Sequence, residues 1–261
     1  MPASGSADDR GRLARQEDGP RLPYVRQHED VRSMTMTYRI IQAGESRSFP
    51  EGHAFVDAAH ADGLARVFVG AGAGAAFAAE RRDGRRVEDA PFVAIELGNE
   101  CLAVHTGESA RADLEGDAAP NVFGFARFRL GTDAPTNLIE LVKPAIADPD
   151  ALRHAKQVFE AAGFAVAVCS DVPGRIVDRL VRPYYNAALR RLDDKLASAT
   201  DMDTTLRLGL GYPEGPIALL ERTGLQHHYT VTQALYEALG DNAYAPARRA
   251  QIAHVRARDG Q

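Results

Sequence analysis

Short runs rich in β-branched and aromatic residues recur along the first two thirds of the chain and then stop. They are Tyr38–Ile41, Val67–Val69, Phe92–Ile95, Cys101–Val104, Val122–Phe128, Leu138–Val142 and Ala165–Cys169, and runs of this length and composition read as strands. Helical stretches separate several of them, most clearly Pro149–Ala162, which Gly163 ends. Strands alternating with helices predict an α/β layered domain with a partly parallel sheet. After Asp171 the apolar residues change period. Ile176, Val177, Leu180, Val181, Tyr184, Ala188 and Leu192 form a stripe at helical spacing. The chain is therefore expected to divide near Ser170 into an α/β domain, 37–170, and an all-helical domain, 171–261.

Punctuation residues divide the helical part further. Asp171 reads as an N-cap, with Pro173 just inside the first turn, where a missing N–H costs nothing. Pro183 interrupts the stripe and should kink that helix or leave a carbonyl near its second turn unpaired. Thr200 with Asp203 resembles a capping box for a second helix ending at Gly209. The loop GLGYPEGP, Gly209–Pro216, follows. Pro216 opens a third helix that ends near Gly224, a fourth runs from Leu225 to Leu239 before Gly240, and Pro246 opens a last one. The segment Asp113–Pro120 reads as a loop.

Residues 1–36 are rich in Arg, Asp, Gly, Ser and Pro and show no sustained apolar period. They cannot bury enough surface to offset their ordering entropy and are expected to be disordered. Alternatively, Met34 or Met36 is the true start and the leader is a mis-assignment.

The 261-residue chain is 45% hydrophobic and 26% charged, as in ordinary globular proteins. Its net charge of −5, with both signs interspersed, gives no electrostatic footprint for nucleic acid. The clusters Arg81, Arg82, Arg85, Arg86 and Arg248, Arg249 sit among acids or at a chain end and read as solvated faces. Two cysteines, Cys101 and Cys169, without a CxxC or a His-rich metal spacing, imply neither a disulfide framework nor a metal, so a cytoplasmic setting is the default. No apolar run approaches the roughly 20 residues that span a bilayer.

The stretch from Asp171 to Leu225 resembles the C-terminal domain of the 3-hydroxyacyl-CoA dehydrogenases. That family's pattern runs PGFIVNRL, PYLNEA, an acidic D-x-D helix start and GLGYPMGP. Here these blocks stand in order at Pro173–Leu180, Pro183–Ala187, Asp201–Asp203 and Gly209–Pro216. Upstream, Leu138–Asp171 resembles the end of the family's nucleotide-binding domain, and NVFGFARFRLGTDAPT occupies the place of its HFFNP block. The resemblance implies a reduced Rossmann-like α/β domain followed by an all-α domain of the 6-phosphogluconate-dehydrogenase C-terminal type, as in the second half of long bacterial members.

The resemblance also implies chemistry: NAD-linked oxidation of the 3-hydroxyl of an acyl-CoA. Such a reaction needs a general base, usually a His held by a carboxylate, and a glycine-rich loop around the NAD pyrophosphate. Glu140 falls on the family's acid. The position of the family's His falls on Phe128, and no His lies between His105 and His154. His105, read as following a strand, is the candidate substitute, and it serves only if the fold brings it to Glu140; the bland alternative is a polar strand cap. Ser109, with Thr106, is placed for substrate binding. Asp178 replaces the substrate-contacting Asn of PGFIVNRL. An ionised Asp cannot donate a hydrogen bond, and a salt bridge to Arg175 or Arg179 is its structural alternative.

For NAD, Gly44 is followed by no further glycine pattern. Gly70, Gly72 and Ala75 form G-x-G-x-x-A after an apolar run, with Glu88 and Asp89 about 20 residues on. In the GYPEGP loop, Tyr212, Pro213 and Gly215 are placed to shape an acyl pocket or simply to fix helix packing. Tyr184 and Tyr185 line the same pocket, a subunit interface or the core.

Three functions follow from the resemblance: an incomplete half that dimerises with, or complements, a full dehydrogenase acting on 3-hydroxyacyl-CoA, its helical domain pairing in a homodimer or with that partner dehydrogenase; a self-sufficient NAD-dependent enzyme using His105 and Glu140; or a non-catalytic acyl-CoA or protein-binding module.

Overall fold

The structure, a computed structural model, describes residues 36–83, 86–87, 89–107 and 119–260. The expectations for the leader, for Ser109 and for Glu88 lie outside the described residues.

A single sheet of six strands organises the first half, in the spatial order β1 to β6. The strands are β1 Tyr38–Gln42, β2 Ala65–Val69, β3 Val93–Glu96, β4 Val122–Arg127, β5 Leu138–Lys143 and β6 Ala165–Ser170. All neighbours are parallel except β4 and β5, which pair antiparallel with Ala126 opposite Glu140. The sheet is buried on both faces, which explains the near-continuous apolar runs of β2 and β3. One face packs Phe55, Phe125, Phe159 and Phe164 with α1 (Ala54–Asp57) and α4 (Pro149–Ala161). The other packs Phe68, Phe77, Ile95 and Leu102 with α2 (Ala73–Arg82) and α3 (Ala103–Thr106).

One expected strand is a helix. Cys101–Val104 leads into α3, because the carboxylate of Asp171 accepts from the N–H groups of Leu102 and Ala103, both at 2.8 Å. Asp171 therefore caps α3 and not the long helix that follows it in sequence, and His105 lies within a helical turn, not after a strand.

The helical half holds α5 Val177–Asp193, α6 Ala199–Leu210, α7 Pro216–Thr223, α8 Leu225–Leu239 and α9 Arg248–Arg258. Pro183 lies inside α5. It cannot donate to the carbonyl of Arg179 four residues back, and the hydroxyl of Tyr244 donates there instead, at 3.1 Å. The cap of α6 is Ser198, not Thr200. Asp203 instead caps α7 across the GYPEGP loop, accepting from Ile217 and Ala218 N–H at 2.9 Å. Among the described residues no helix is long and apolar enough to cross a membrane, and no group of three metal-binding side chains occurs.

Candidate functional site

The two halves meet at Glu140, near the middle of β5 and 1% exposed. Its Oε1 accepts from the N–H groups of Ile176 and Val177 at 2.9 and 2.8 Å, so it supplies the cap that α5 lacks in its own sequence. Its Oε2 faces Arg175 Nε at 3.3 Å. Arg175 in turn donates to Gly98 O at 3.0 Å, tying the end of β3 to the same junction. Arg175 occupies the third position of PGRIVDRL, where the family pattern has Phe, and it neutralises the carboxylate on which the resemblance would place a His. Among the described residues, the side-chain hydrogen bonds of Glu140 all go to residues 175–177, at the start of the helical half. Beside it, the Cys169 thiol is pushed up to about 11 by burial and by Glu140, so it stays protonated near neutrality.

His105 is held elsewhere. Its Nε2 lies 3.3 Å from Glu100 Oε1, and its ring lies so close to Gly74 that a Cβ there would fall 2.1 Å from it. Burial pushes the Glu100 carboxyl up, but the N–H groups of Gly98 and Glu100 and the His105 contact outweigh it and hold it below the usual carboxylate range. The structure thus joins His105 to Glu100 and to the first turn of α2. Thr106 bonds only within α3, through Leu102 O and Gly107 O.

Asp178 pairs with neither Arg175 nor Arg179 but with Arg182, one turn on, at 2.7 Å. Both are buried, at 6% and 1% exposure. Arg182 Nη1 reaches His228 Nδ1 at 3.1 Å, and His228 Nε2 reaches Asn186 Oδ1 at 3.0 Å. Arginine can only donate, so His228 carries its proton on Nε2. Burial, reinforced by Arg182, lowers the His228 pKa from 6.5 to about 3, and the ring is neutral at ordinary pH. The line Asp178–Arg182–His228–Asn186, ending at Ala243 O, fastens α5 to α8. The sequence contained its signal: Asp178, Arg182 and Asn186 recur every four residues on one face of a helix.

The Gly70–Ala75 segment links β2 to α2, as a dinucleotide loop should. The N–H groups of its first four residues are taken. Gly70 N–H donates to the buried carboxylate of Glu96 at 2.6 Å, Ala71 to Glu45 O, Gly72 to Ala43 O and Ala73 to Gly70 O. Glu96, at the end of β3, also accepts from Ser48 N–H and from the Ser46 hydroxyl. A Cβ at Gly70, where φ is +107°, would fall 2.5 Å from Ala43 O. Glycine is needed there because the 43–45 segment lies against the loop. A pyrophosphate binds such loops through free N–H groups. At Gly70 this loop meets an internal carboxylate instead, so its Gly70–Ala73 part does not fit a dinucleotide. Nor does the strand order reverse anywhere in the described sheet, so it lacks the switch point at which doubly wound sheets take dinucleotides. Glu96 stood out in the sequence only as an acid closing an apolar run.

A cleft runs between the hairpin loop after β4 and the helical domain. Arg47, Ser48, Arg127, Phe128, Arg129, Arg175 and Asp178 line its inner part. Phe128, on which the resemblance places the family's His, therefore lies on the cleft wall, next to four guanidinium groups. Arg127 is structural. It donates to Ser48, Pro135 and Thr136 carbonyls and stacks over Phe49 and Phe164. In the helical half, Tyr212 meets Tyr184 edge-on at 5.9 Å, and Tyr184 neighbours Tyr185 at 5.4 Å. Gly215 leaves room for Asp203, which holds the start of α7.

With this geometry in place, the family model "3-hydroxyacyl-CoA dehydrogenase, C-terminal domain" matches residues 174–256. The 3-hydroxybutyryl-CoA dehydrogenase of Bradyrhizobium diazoefficiens is 31% identical over 109 residues, which are 42% of this chain and 37% of that protein. The human mitochondrial hydroxyacyl-coenzyme A dehydrogenase is 33% identical over 105 residues, 40% of this chain and 33% of that protein. Among solved structures, 3-hydroxybutyryl-CoA dehydrogenase from Escherichia coli superposes with a TM-score of 0.62 at 21% identity, covering 80% of this chain and 42% of that one. (S)-3-hydroxybutyryl-CoA dehydrogenase from Ralstonia eutropha gives 0.60 at 21%, covering 73% and 64%. Likenesses at that identity show the fold alone: a Rossmann-like sheet followed by the helical domain. The sequence match to this family model is thus confined to the helical half, residues 174–256. The chain matches about a third of the length of these two curated relatives.

Proposed function

We propose that this chain is an incomplete member of its family, which binds an acyl-CoA or pairs through its helical domain with a complete 3-hydroxyacyl-CoA dehydrogenase in the cytoplasm, and does not turn over substrate alone. The observation that carries the reading is the engagement of Glu140. A carboxylate that holds a catalytic imidazole must present an oxygen to it, whereas both oxygens of Glu140 are engaged by Arg175 and the start of α5. The occupied Gly70–Ala73 donors support the same conclusion for NAD, which in this reading is bound by the partner chain. Leu180, Leu196, Leu208 and Leu210 leave large apolar side chains exposed on the helical half, as a pairing surface would.

The test mixes the purified chain with acetoacetyl-CoA and NADH and follows the nicotinamide absorbance, alone and with a full-length 3-hydroxybutyryl-CoA dehydrogenase. No turnover alone, no change in NADH fluorescence on mixing, and an altered rate or a mixed dimer with the partner are expected. Turnover by the lone chain that disappears in His105→Ala would establish the self-sufficient reading and end this one.

A further inference from the structure

The outer part of the interdomain cleft opens into a cavity of about 300 Å³. Its wall carries three arginines, Arg47, Arg129 and Arg182, together with the polar side chains Asn99, Thr132, His227 and Thr230, and among the described residues no carboxylate. That imbalance is unusual in a chain whose net charge is −5. Arginine side chains at a protein surface ordinarily find a carboxylate or a row of carbonyls, as Arg127, Arg175 and Arg222 do here.

The donors facing the cavity are largely unused. Arg47 makes no hydrogen bond or ion pair among the described residues. Arg129 is bonded only through Nε, to Asp133 O at 2.7 Å, which leaves both Nη groups free. Arg182 is engaged by Asp178 through Nε and by His228 through Nη1, which leaves Nη2 without a partner among the described residues. Arg47 is open to solvent on one side, yet it is surrounded closely enough that desolvation lowers its pKa. Asp178 opposes that shift, while Arg175, Arg182 and Arg129 reinforce it. Asp178, itself paired with Arg182, is the one acid that acts on Arg47, against three further guanidiniums.

We infer that this cavity is a binding site for the acid group of a small organic anion, held between the guanidiniums of Arg47 and Arg129. A planar carboxylate or a phosphate oxygen pair matches the fork of a guanidinium. The volume lies at the lower end of small-ligand pockets, roughly 300–1,000 Å³, so it takes a compact acid or the acidic end of a longer molecule. The acid has two possible sources, the carboxylate of an acyl group or a phosphate of a coenzyme. The site stands on the cleft residues alone and does not require that the chain pair with a dehydrogenase.

Titration calorimetry on the full chain at fixed ionic strength tests this, with adipate, inorganic phosphate and free coenzyme A as probes and uncharged adipamide as control. One saturable site for adipate and none for adipamide is expected. Arg47→Gln and Arg129→Gln should each weaken binding by about tenfold, as loss of one charge-assisted contact does, with Arg47→Lys intermediate. Phosphate or coenzyme A displacing adipate from the same site would assign it to a phosphate source, and adipate alone to a carboxylate. Saturable binding of none of the three anions would overturn the proposal, as would binding unchanged in the Arg47→Gln/Arg129→Gln double variant. Unchanged melting temperature and far-ultraviolet circular dichroism in these exposed-site variants ensure that a loss reports the site and not the fold.

Discussion

The helical half of this protein matches a known family by sequence, whereas the sheet half resembles known dehydrogenases in fold alone. Residues 174–256 match the family model, while the likeness to a solved dehydrogenase extends over 80% of the chain at only 21% identity. Packing explains the asymmetry. Helices at fixed crossing angles need particular residues at their turns and caps, such as the Gly215–Asp203 contact, so the motifs stay legible. A sheet buried on both faces needs only apolar residues of suitable size along its strands, so its other positions are free to drift. The halves also differ in how they hold buried charge. In the sheet half the acids Glu96 and Glu140 are answered largely by backbone N–H groups. In the helical half Asp178 is answered by a side chain and extended through a side-chain network.

The largest expected effect tests the first of those arrangements. Glu140→Ala leaves Arg175 buried without its partner and two N–H groups of α5 without an acceptor. Breaking a buried ion pair from one side costs roughly 3–5 kcal/mol, so urea unfolding should show a loss of that order. Glu140→Gln keeps an acceptor and should lose less, about 1–3 kcal/mol. A Glu140→Ala variant as stable as the parent would mean that the junction is held by something else.

A double-mutant cycle separates the two halves more sharply. Asp178→Leu strands the Arg182 charge and should also cost roughly 3–5 kcal/mol. Adding Arg182→Leu removes the stranded charge, so the double variant should be more stable than Asp178→Leu alone. The equivalent pair, Glu140→Leu with Arg175→Leu, should not recover in the same way, because the N–H groups of Ile176 and Val177 remain unpaired. Equal coupling in the two cycles would contradict the distinction between backbone-held and side-chain-held charge.

This distinction also accounts for what was legible in the sequence. Six of the seven strand runs, the helix at Pro149 and the helices opened by Pro216 and closed by Gly240 follow from local periodicity and punctuation. The misread elements share one cause. Asp171 and Asp203 are good capping residues, but each caps a helix remote in sequence, α3 and α7. Local rules assign a cap to the next helix, and only the tertiary fold shows which N-terminus lies within reach. The same limit hid the Glu140–Arg175 pair, whose members are 35 positions apart, and the convergence of Arg47, Arg129 and Arg182 from three segments. Asp178 was visible as a departure from the family pattern, but its partner was sought at Arg175 and Arg179, whereas i,i+4 spacing points to Arg182.

A pH titration of stability probes the helical network without mutation. His228 binds its proton with a pKa of about 3 in the folded chain against 6.5 when exposed. Its contribution is fully present above about pH 6.5. As pH falls below that value the unfolded chain takes up a proton that the folded chain does not, and stability declines until pH reaches about 3. The slope from this one group is about 1.4 kcal/mol per pH unit. His228→Gln, which cannot titrate, should flatten that segment of the curve whatever it does to stability at pH 7. If the slope between pH 6 and 4 were the same in both proteins, His228 would not be the neutral link between Arg182 and Asn186.

The smallest effect concerns a repair within α5. Pro183 leaves the Arg179 carbonyl without its helical donor, and the Tyr244 hydroxyl, from the segment after α8, replaces it. Tyr244→Phe should cost about 1 kcal/mol, the net worth of one hydrogen bond plus part of the penalty for a buried unpaired acceptor. Pro183→Ala restores an N–H at the position where the helix needs it, so in that background Tyr244→Phe should cost markedly less. Coupling between residues 183 and 244 would show that the tyrosine acts on the carbonyl freed by the proline and not through its ring. Additivity would instead assign the contribution of Tyr244 to its packing against Val231 and Leu235, and the hydroxyl contact would then be a consequence of that packing, with no stabilising role of its own.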